Sequence, residues 1–255
     1  MTESTLLVER PCPGIAELVL NRPDRRNALN YALMAEIVGA IEELSADTSC
    51  RVLILRGEGP VFCAGLDLHE TLDPAFSEST AQGVGRVLSL IASTPLVTIA
   101  VAHGVASAGG AGLLAACDFA IVSEELKIVF PEVRRGLVPA LVATVLRKKL
   151  KDADLRELFL LAEPIDANRA RSMGLVHRVV ARNCLREEAR RIASLVLQGA
   201  PQAVQSTKEL LASLGSSVDR EASEIALEYH IQARIGVEAR EGLAAFLEKR
   251  EPRWG

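Results

Sequence analysis

The sequence predicts an α/β fold in which strands and helices alternate through crossover connections. Short β-branched apolar runs, such as Val52 to Leu55 and Val97 to Val101, are separated by segments whose apolar residues recur at helical spacing. From Pro139 onward strand patterns almost disappear and helical patterns follow one another. The chain has 255 residues, of which 49% are hydrophobic and 24% charged, so it is long enough for one large core or for a core domain with a small appendage.

A β-hairpin is predicted to open the fold. Leu6 to Arg10 and Ile15 to Leu20 have the composition of short strands, and Pro11-Cys12-Pro13-Gly14 between them suits a turn. Asn30 is then predicted to cap a helix. The apolar residues that follow it at spacings of four, four and three are Leu33, Ile37, Ile41 and Leu44.

The middle of the chain continues the alternation of helix and strand. Helical spacing recurs from Val84 to Ile91, Gly110 to Ala116 is predicted to form a short helix, and Phe119 to Val122 the next strand. The segment from Glu70 to Gly85 contains Pro74, Gly83 and several Ser and Thr residues, so we predict a mobile loop there.

The C-terminal part is predicted to be mostly helical, with one further strand from Val176 to Val180. The predicted helices are Ala140 to Leu150, Asp154 to Leu161, Cys184 to Leu197, Pro201 to Leu214 and Asp219 to Lys249. We therefore predict a core domain over residues 1–195 and a helical region over 196–255.

Charge and cysteine content exclude several classes of function. A net charge of −4 and a pI near 5.7 argue against general nucleic-acid binding, and the basic run from Arg147 to Lys151 is interpreted as a solvated helix face. The five cysteines are widely spaced and contain no CxxC pair, which favours reduced thiols in a cytoplasmic protein. The longest apolar stretch, Pro95 to Ala102, is far shorter than the ~20 residues that span a bilayer.

Two glycine turns carry the clearest chemical signal. Gly65 and the pair Gly109-Gly110 each follow a strand-like run, and such turns can free backbone N–H groups. Two N–H groups that point at one carbonyl oxygen stabilise the negative charge that forms on it in an enolate or a tetrahedral intermediate. The sequence therefore predicts an oxyanion hole, although each turn alone could be an ordinary connection between strand and helix.

Other common site motifs are missing from the sequence. Neither G-x-G-x-x-G nor G-x-x-x-x-G-K-[ST] occurs, so no nucleotide cofactor is predicted. Ser107 lacks the first glycine of a G-x-S-x-G nucleophile elbow. The four histidines lack metal-ligand spacing and are interpreted as structural or exposed; they are His69, His103, His177 and His230.

A set of motifs spread over nearly the whole chain resembles the crotonase superfamily, the enoyl-CoA hydratase/isomerase family. The matching segments are Leu20-Asn21-Arg22-Pro23, Asn27-Ala28-Leu29-Asn30, Phe62-Cys63-Ala64-Gly65-Leu66-Asp67-Leu68, Gly104 to Asp118, Pro164-Ile165-Asp166-Ala167, Gly174-Leu175-Val176 and Glu241 to Arg250. The set is specific for the superfamily and much less specific for the reaction.

The resemblance implies a spiral of ββα turns with a C-terminal helical trimerisation region, assembled as a homotrimer or a dimer of trimers. It also implies an acyl-CoA thioester substrate, with coenzyme A entering only as part of that substrate, and it places the oxyanion-hole N–H groups on Leu66 and Gly109. The residues that it places near coenzyme A are Arg25, Arg26, Ala28, Leu29, Ala64, Asp67, Phe246 and Lys249. Apolar candidates for the acyl site are Leu68, Leu72, Phe76, Leu88 and Val138.

The carboxylates depart from the pattern of the two-glutamate hydratases. Those enzymes carry one glutamate soon after the Gly-Gly turn, where this sequence has Gly112, and a second in the Pro-Glu segment, where it has Glu132. We predict Glu132 as the general acid and base, with a salt bridge to Arg134 or Arg135, or a helix N-terminal charge, as the structural alternative.

One carboxylate that removes a proton from one carbon and returns it to another is sufficient for isomerisation of a 3-enoyl-CoA. Hydration of a 2-enoyl-CoA is nevertheless placed first, because the segment from Pro131 to Ala140 resembles hydratases of short or branched enoyl-CoA. A catalytically silent acyl-CoA-binding protein is the third alternative, and thioester hydrolysis and decarboxylation use the same kind of oxyanion hole.

Overall fold

Two β-sheets form the framework of the protein, whose computed structural model describes residues 4–72, 75–214 and 236–254. The spatial order of the larger sheet is β1 (Leu6–Cys12), β2 (Ile15–Leu20), β3 (Val52–Gly57), β4 (Val97–Ala102), β6 (Phe119–Ser123) and β9 (Arg178–Val180). The smaller sheet contains β5 (Val105–Ser107), β7 (Lys127–Val129) and β8 (Ile165–Asp166). The β1–β2 and β7–β8 pairs are antiparallel and the other pairs are parallel, which confirms the predicted α/β class.

Helices connect the strands. They are α1 (Tyr31–Ala46), α2 (Leu68–Leu72), α3 (Ser77–Ser93), α4 (Gly109–Ala116), α5 (Ala140–Leu146), α6 (Asp152–Arg156), α7 (Ala167–Met173), α8 (Leu185–Gln198), α9 (Pro201–Ser213) and α10 (Val237–Glu248). A π-helical turn, Glu157–Leu161, continues α6, and 3₁₀ turns cover Pro23–Arg25, Glu132–Arg135 and Arg182–Cys184. Of the predicted helix from Asp219 to Lys249, residues 219–235 lie outside the described ranges.

The predicted hairpin and first helix are confirmed. β1 and β2 pair across the turn that contains Gly14, whose φ is 81°. The Asn30 side chain accepts a hydrogen bond from the N–H of Leu33 at 3.1 Å, so it caps α1 as expected. All four residues of the predicted apolar face are buried.

The predicted loop from Glu70 to Gly85 is wrong, because α2 and the first half of α3 occupy most of it. Its Ser, Thr and Gly residues resemble loop signals, yet they lie mostly in helices. A Cβ atom at Gly83 would lie 3.0 Å from the Cε atom of Met34, so the glycine allows α3 to approach α1 closely. The carbonyl of Phe76 accepts the Thr80 N–H at 2.8 Å in the first turn of α3.

The larger sheet is covered on both faces, which explains why its strands are apolar throughout. Leu53 and Leu55 of β3 belong to the main core with α1 and α3, whereas Val52 and Ile54 face α8. The predicted domain boundary between residues 195 and 196 falls inside α8. Within the described ranges, no helix combines the length and apolarity that crossing a membrane requires.

Candidate active site

The Gly65 turn presents one free backbone donor. Gly65 has a φ of 91°, a conformation that glycine adopts without strain. The N–H of Leu29 donates to the carbonyl of Gly65 at 2.8 Å, and the N–H of Asp67 donates to the carbonyl of Leu29 at 2.9 Å. Between them, the N–H of Leu66 has no acceptor among the described residues.

The second turn presents another free donor beside the first. Ala108 donates its N–H to Val129 at 2.9 Å, its carbonyl accepts from Gly112 at 2.9 Å, and the N–H of Gly109 has no acceptor in the described part of the chain. A Cβ atom at Gly65 would lie 3.5 Å from the backbone nitrogen of Gly109 and 2.8 Å from the carbonyl oxygen of Ser107. The two turns are therefore in contact, and only glycine fits at position 65.

Hydrogen bonds along Cys63 hold the two turns together. The N–H of Cys63 donates to Val105 at 3.2 Å, and the carbonyl of Cys63 accepts from Ser107 at 3.0 Å. A Cβ atom at Gly110 would lie 2.4 Å from that same carbonyl, so a glycine is also required there. These contacts hold the two turns with free N–H groups side by side.

Glu132 follows the strand that bonds to Ala108. It begins the 3₁₀ turn three residues after Val129, so the strand connects it to the Gly109 turn. Its Oε2 atom is buried and has no hydrogen-bond partner among the described residues. Burial raises the pKa of the Glu132 carboxyl, and a hydrogen bond from its own backbone and the charge of Arg135 oppose that rise. Neither Arg134 nor Arg135 forms an ion pair with it among the described contacts, so the structural alternative of a salt bridge is not seen.

Gly112 lies under apolar side chains. All residues of α4 are buried, and a Cβ atom at position 112 would lie 2.9 Å from Cγ1 of Val142 and 3.2 Å from Cδ2 of Leu88. The place of a first carboxylate is therefore filled by methyl groups. Leu88, predicted to line the acyl site, is a core residue at 1% exposure.

Leu68, Phe76 and Val138, three other predicted acyl-site residues, are 47%, 40% and 78% exposed, because they lie on α2 and on connecting segments at the surface. The side chain of Leu72 lies outside the described part of the structure. The place of these residues in an acyl site stays a prediction.

The segment predicted to bind coenzyme A is attached to the Gly65 turn. Arg25 and Arg26 are exposed, and the carbonyl of Arg26 accepts the N–H of Ala64 at 3.0 Å. Ala28 and Leu29 continue this segment, and Leu29 pairs with Leu66 in an isolated bridge. The structure thus brings these five residues together beside the first free donor.

The remaining predicted coenzyme A contacts differ in their surroundings. Asp67 forms an ion pair with Arg22 at 3.1 Å, so its carboxylate is already engaged within the loop. Lys249 follows α10 with a φ of 55°, and no hydrogen bond or ion pair of the described residues joins it to the Gly65 turn. The side chain of Phe246 lies outside the described part.

Asn27 is a structural residue that sequence reasoning missed. It is fully buried, its amide nitrogen donates to the carbonyls of Glu58, Val61 and Phe62 at 2.9 to 3.1 Å, and its Oδ1 accepts from the N–H of Arg22. Its φ of 53° is one that asparagine tolerates better than most residues. The sequence signal that could have indicated this role is an asparagine among the polar residues that follow Pro23.

Other titratable groups near the site have structural partners. Glu70 accepts the N–H of Tyr31 at 2.7 Å at the start of α1. His103 bonds the carbonyl of Gly59 at 2.9 Å and His177 accepts from the N–H of Ala120 at 3.1 Å, and burial lowers the pKa of both. Within the described ranges, no three His, Cys, Asp or Glu side chains are placed to hold a metal ion.

Solved structures share this fold over their whole length. The crystal structure of an enoyl-CoA hydratase from Mycobacterium smegmatis superposes on the present chain with a TM-score of 0.94. The two sequences are 31% identical, and the superposition covers 99% of both chains. That of human enoyl coenzyme A hydratase domain-containing protein 3 gives a TM-score of 0.93 at 28% identity, with 98% of both chains covered. The fold is therefore the crotonase fold, as predicted.

Sequence comparison identifies the family. The model of the enoyl-CoA hydratase/isomerase family matches residues 12–255. The enoyl-CoA isomerase/hydratase fer4 of Mycosarcoma maydis is 31% identical, with 99% of this chain and 98% of that protein covered. The mitochondrial enoyl-CoA hydratase domain-containing protein 2 of Bos taurus is 36% identical, with 96% and 85% covered. The chain belongs to the enoyl-CoA hydratase/isomerase family and is an enzyme of that family, which implies an acyl-CoA substrate.

Proposed function

We propose that this enzyme catalyses the reversible hydration of a 2-enoyl-CoA with Glu132 as its single acid and base. The observation that carries the proposal is the buried Oε2 of Glu132, which has no partner among the described residues and lies three residues after a strand bonded to the turn that presents the free N–H of Gly109. A carboxylate oxygen without a partner is available to move a proton.

The proposed reaction needs only one carboxylate. Glu132 removes a proton from water as the water oxygen bonds to C3 of the enoyl group. The electron pair of the double bond moves onto the thioester oxygen, where the N–H groups of Leu66 and Gly109 stabilise the enolate. Glu132 then returns the same proton to C2, and the product is a 3-hydroxyacyl-CoA.

Isomerisation of a 3-enoyl-CoA is the second candidate. The packing of Val142 and Leu88 over Gly112 favours it, because this side of the site offers methyl groups instead of a polar group that could hold water. In that reaction Glu132 removes a proton from C2 and returns it to C4 through a dienolate, whose oxygen the same two N–H groups stabilise.

Coenzyme A recognition is proposed for the segment beside the Gly65 turn. Arg25 and Arg26 are exposed there, and guanidinium groups suit phosphate binding. Ala28, Leu29 and Ala64 would form the backbone frame of this subsite, and Asp67 would hold it through Arg22. A contribution from Phe246 and Lys249 completes the proposal.

Assembly as a homotrimer or a dimer of trimers is proposed for the helical C-terminal region. Helix α9 has no buried residue, and Leu211, Val237 and Leu243 are exposed apolar residues of α9 and α10. Light scattering on the purified protein tests the assembly.

A cytoplasmic location is also proposed, and the free cysteines are consistent with it.

A product assay in heavy-oxygen water tests the reaction. Wild type and Glu132→Gln are offered crotonyl-CoA, 3-methylcrotonyl-CoA and 3-hexenoyl-CoA. We expect labelled 3-hydroxyacyl-CoA from a 2-enoyl substrate, lost in the variant. Unlabelled 2-hexenoyl-CoA without hydration establishes the isomerase instead. Binding of the CoA esters without any turnover contradicts both reactions and favours a silent acyl-CoA-binding protein.

A further inference from the structure

The Glu132 carboxylate depends on its own backbone for its position. Its buried Oε2 has no hydrogen-bond partner among the described residues, and the hydrogen bond that lowers the pKa of the carboxyl comes from the backbone of Glu132 itself. Such a side chain takes its position from the backbone that carries it and from the packing of that backbone. The groups that fix the 3₁₀ turn Glu132–Arg135 therefore decide where the acid and base stands.

Two residues before Glu132, an aromatic contact fixes the incoming chain. Phe130 is fully buried, and its ring meets that of Phe159 edge to face, with centroids 5.2 Å apart and planes at 85°. Such pairs prefer one relative orientation over others. Phe159 belongs to the π-helical turn Glu157–Leu161.

Two residues after Glu132, a hydrogen bond reaches the same π-helical turn. Nη2 of Arg134 donates to the carbonyl of Leu161 at 2.9 Å. Leu161 is the last residue of the turn, and Ala162 leaves it in a left-handed conformation with a φ of 52°. A carbonyl at the end of a helix lacks an intrahelical donor, and Arg134 supplies one.

We propose that the π-helical turn Glu157–Leu161 is the positioning element for Glu132 and that Arg134 and Phe159 are its positioning residues. The turn holds the backbone on both sides of the carboxylate through these two contacts. Single π-helical turns inside helices are frequent at functional sites. The inference rests on the proposed function, because it explains how the acid and base of that function is placed.

The neighbouring Arg135 provides a matched comparison. It carries the same charge, one residue further along the same 3₁₀ turn, but its side chain makes no hydrogen bond or ion pair within the described residues. Its charge opposes the rise in the Glu132 pKa. Glu157, a charged residue of the π-helical turn, forms an ion pair with Arg169. Loss of the Arg135 side chain should therefore change the protonation of Glu132. Loss of the Arg134 side chain should instead change the position of the Glu132 carboxylate.

Enzyme kinetics separate the two roles. They are measured on the full-length enzyme with a substrate that the wild type turns over. For Arg134→Ala we expect kcat per folded protein to fall roughly tenfold to a hundredfold, as for a small misplacement of a catalytic group, with KM within about twofold and the pH midpoint unchanged. Arg134→Lys should recover part of the loss, and Phe159→Leu should lower kcat in the same way. Arg135→Ala should instead move the pH midpoint upward. Arg147→Ala, which removes an exposed charge elsewhere, should leave kcat unchanged.

Crystal structures of wild type and Arg134→Ala provide a second measurement that does not depend on activity. We expect the Glu132 carboxylate to be displaced or split between positions in the variant. An unmoved carboxylate, or an unchanged kcat per folded protein in Arg134→Ala, overturns the inference. Full activity of Glu132→Gln instead overturns the proposed function, and the crystallographic comparison then still decides whether the turn positions this side chain.

Discussion

Val142 Cγ1 lies 2.9 Å from the point that a Cβ atom would occupy at Gly112. Both methyl groups of Leu88 lie 3.2 to 3.3 Å from that point. Contacts shorter than 3.0 Å force a neighbour to move, so the position is closed to any larger residue unless α5 or α3 yields. The packing around Gly112 therefore leaves no room for a carboxylate side chain at this position.

Gly112→Ala is expected to destabilise the fold by about 1–3 kcal/mol, the usual cost of overpacking a filled core. Gly39 is a matched control, because it also lies in a helix but has nothing within 4 Å of its Cβ position. Gly39→Ala should stabilise the fold by roughly 0.5–1 kcal/mol through helix propensity. Urea unfolding of both variants measures the difference. Equal effects of the two substitutions would contradict the packing argument.

The same contact predicts coupling between positions 112 and 142. Val142→Ala removes the Cγ atoms that a side chain at position 112 would meet. The double variant Gly112→Ala with Val142→Ala should therefore be more stable than the sum of the single effects predicts. A double-mutant cycle by chemical unfolding gives this coupling energy, and strict additivity would contradict it.

By the same reasoning, a carboxylate introduced with Gly112→Glu should raise the rate of hydration only together with Val142→Ala.

Gly65→Ala is expected to abolish most of the activity and to destabilise the fold. Its φ of 91° is shared by Gly174, where a Cβ atom would find its nearest neighbour only at 3.9 Å. Gly174→Ala therefore carries the same conformational cost without the clash against Ser107, and it should retain wild-type kcat. Gly65→Ala should lose more stability and more activity than Gly174→Ala. This difference, measured by unfolding and by turnover, gives the contribution of the contact between the two turns. Similar kcat values in the two variants would show that the contact does not shape the site.

Most of the fold could be predicted because local signals and burial agree. The hairpin, the Asn30 cap and the buried strands each combine turn chemistry with apolar periodicity. The prediction of a loop from Glu70 to Gly85 was wrong because Gly83 allows its helix to pack against Met34. That contact depends on a residue far away in the sequence. A single sequence contains no direct sign of that contact.

The site could be predicted only where backbone geometry decides it. The turns at Gly65 and Gly109 were found because glycine after a strand permits tight backbone turns that other residues disfavour. The acyl-site candidates were chosen by apolarity alone, and apolarity does not distinguish the core residue Leu88 from the exposed Val138. The bonds from Arg134 to Leu161 and from Asn27 to three carbonyls join segments far apart in sequence, so no local pattern indicates them.

Ala108→Gly is expected to stabilise the fold while lowering activity. Ala108 has a φ of 48° and a ψ of −119°, a combination that side chains disfavour, and it directly precedes the free donor of Gly109. Relief of that strain should raise the free energy of unfolding by about 1–2 kcal/mol. Because glycine also lets the peptide that carries the Gly109 N–H rotate more freely, kcat should fall.

Ala162→Gly is the control for Ala108→Gly. Ala162 has a φ of 52° and a ψ of 31°, within the left-handed region that alanine tolerates at a smaller cost. We expect its stability to change by no more than about 0.5 kcal/mol, because the loss of strain is offset by the greater freedom of glycine in the unfolded chain. A lower stability of Ala108→Gly than of wild type would contradict the assignment of strain to this residue.

The buried Glu132 carboxyl should make the stability of the enzyme depend on pH in a defined direction. Burial raises its pKa in the folded state above the ordinary value of 4.5, so the folded protein holds this proton more tightly than the unfolded chain does. Below about pH 4.5 both states are protonated and the group carries no penalty. As the pH rises through the folded pKa, the charged form becomes increasingly unfavourable in the folded protein, and stability is lost.

Glu132→Gln removes this titration, so its stability relative to wild type should increase as the pH rises from about 4 to 7. Urea unfolding at several pH values measures the difference between the two proteins. Glu43→Gln, at an exposed position on α1, is the control. A Glu132→Gln difference that is flat, or that shrinks toward neutral pH, would mean that the folded protein stabilises the carboxylate. Such a result would be incompatible with an unpartnered acid and base at this position.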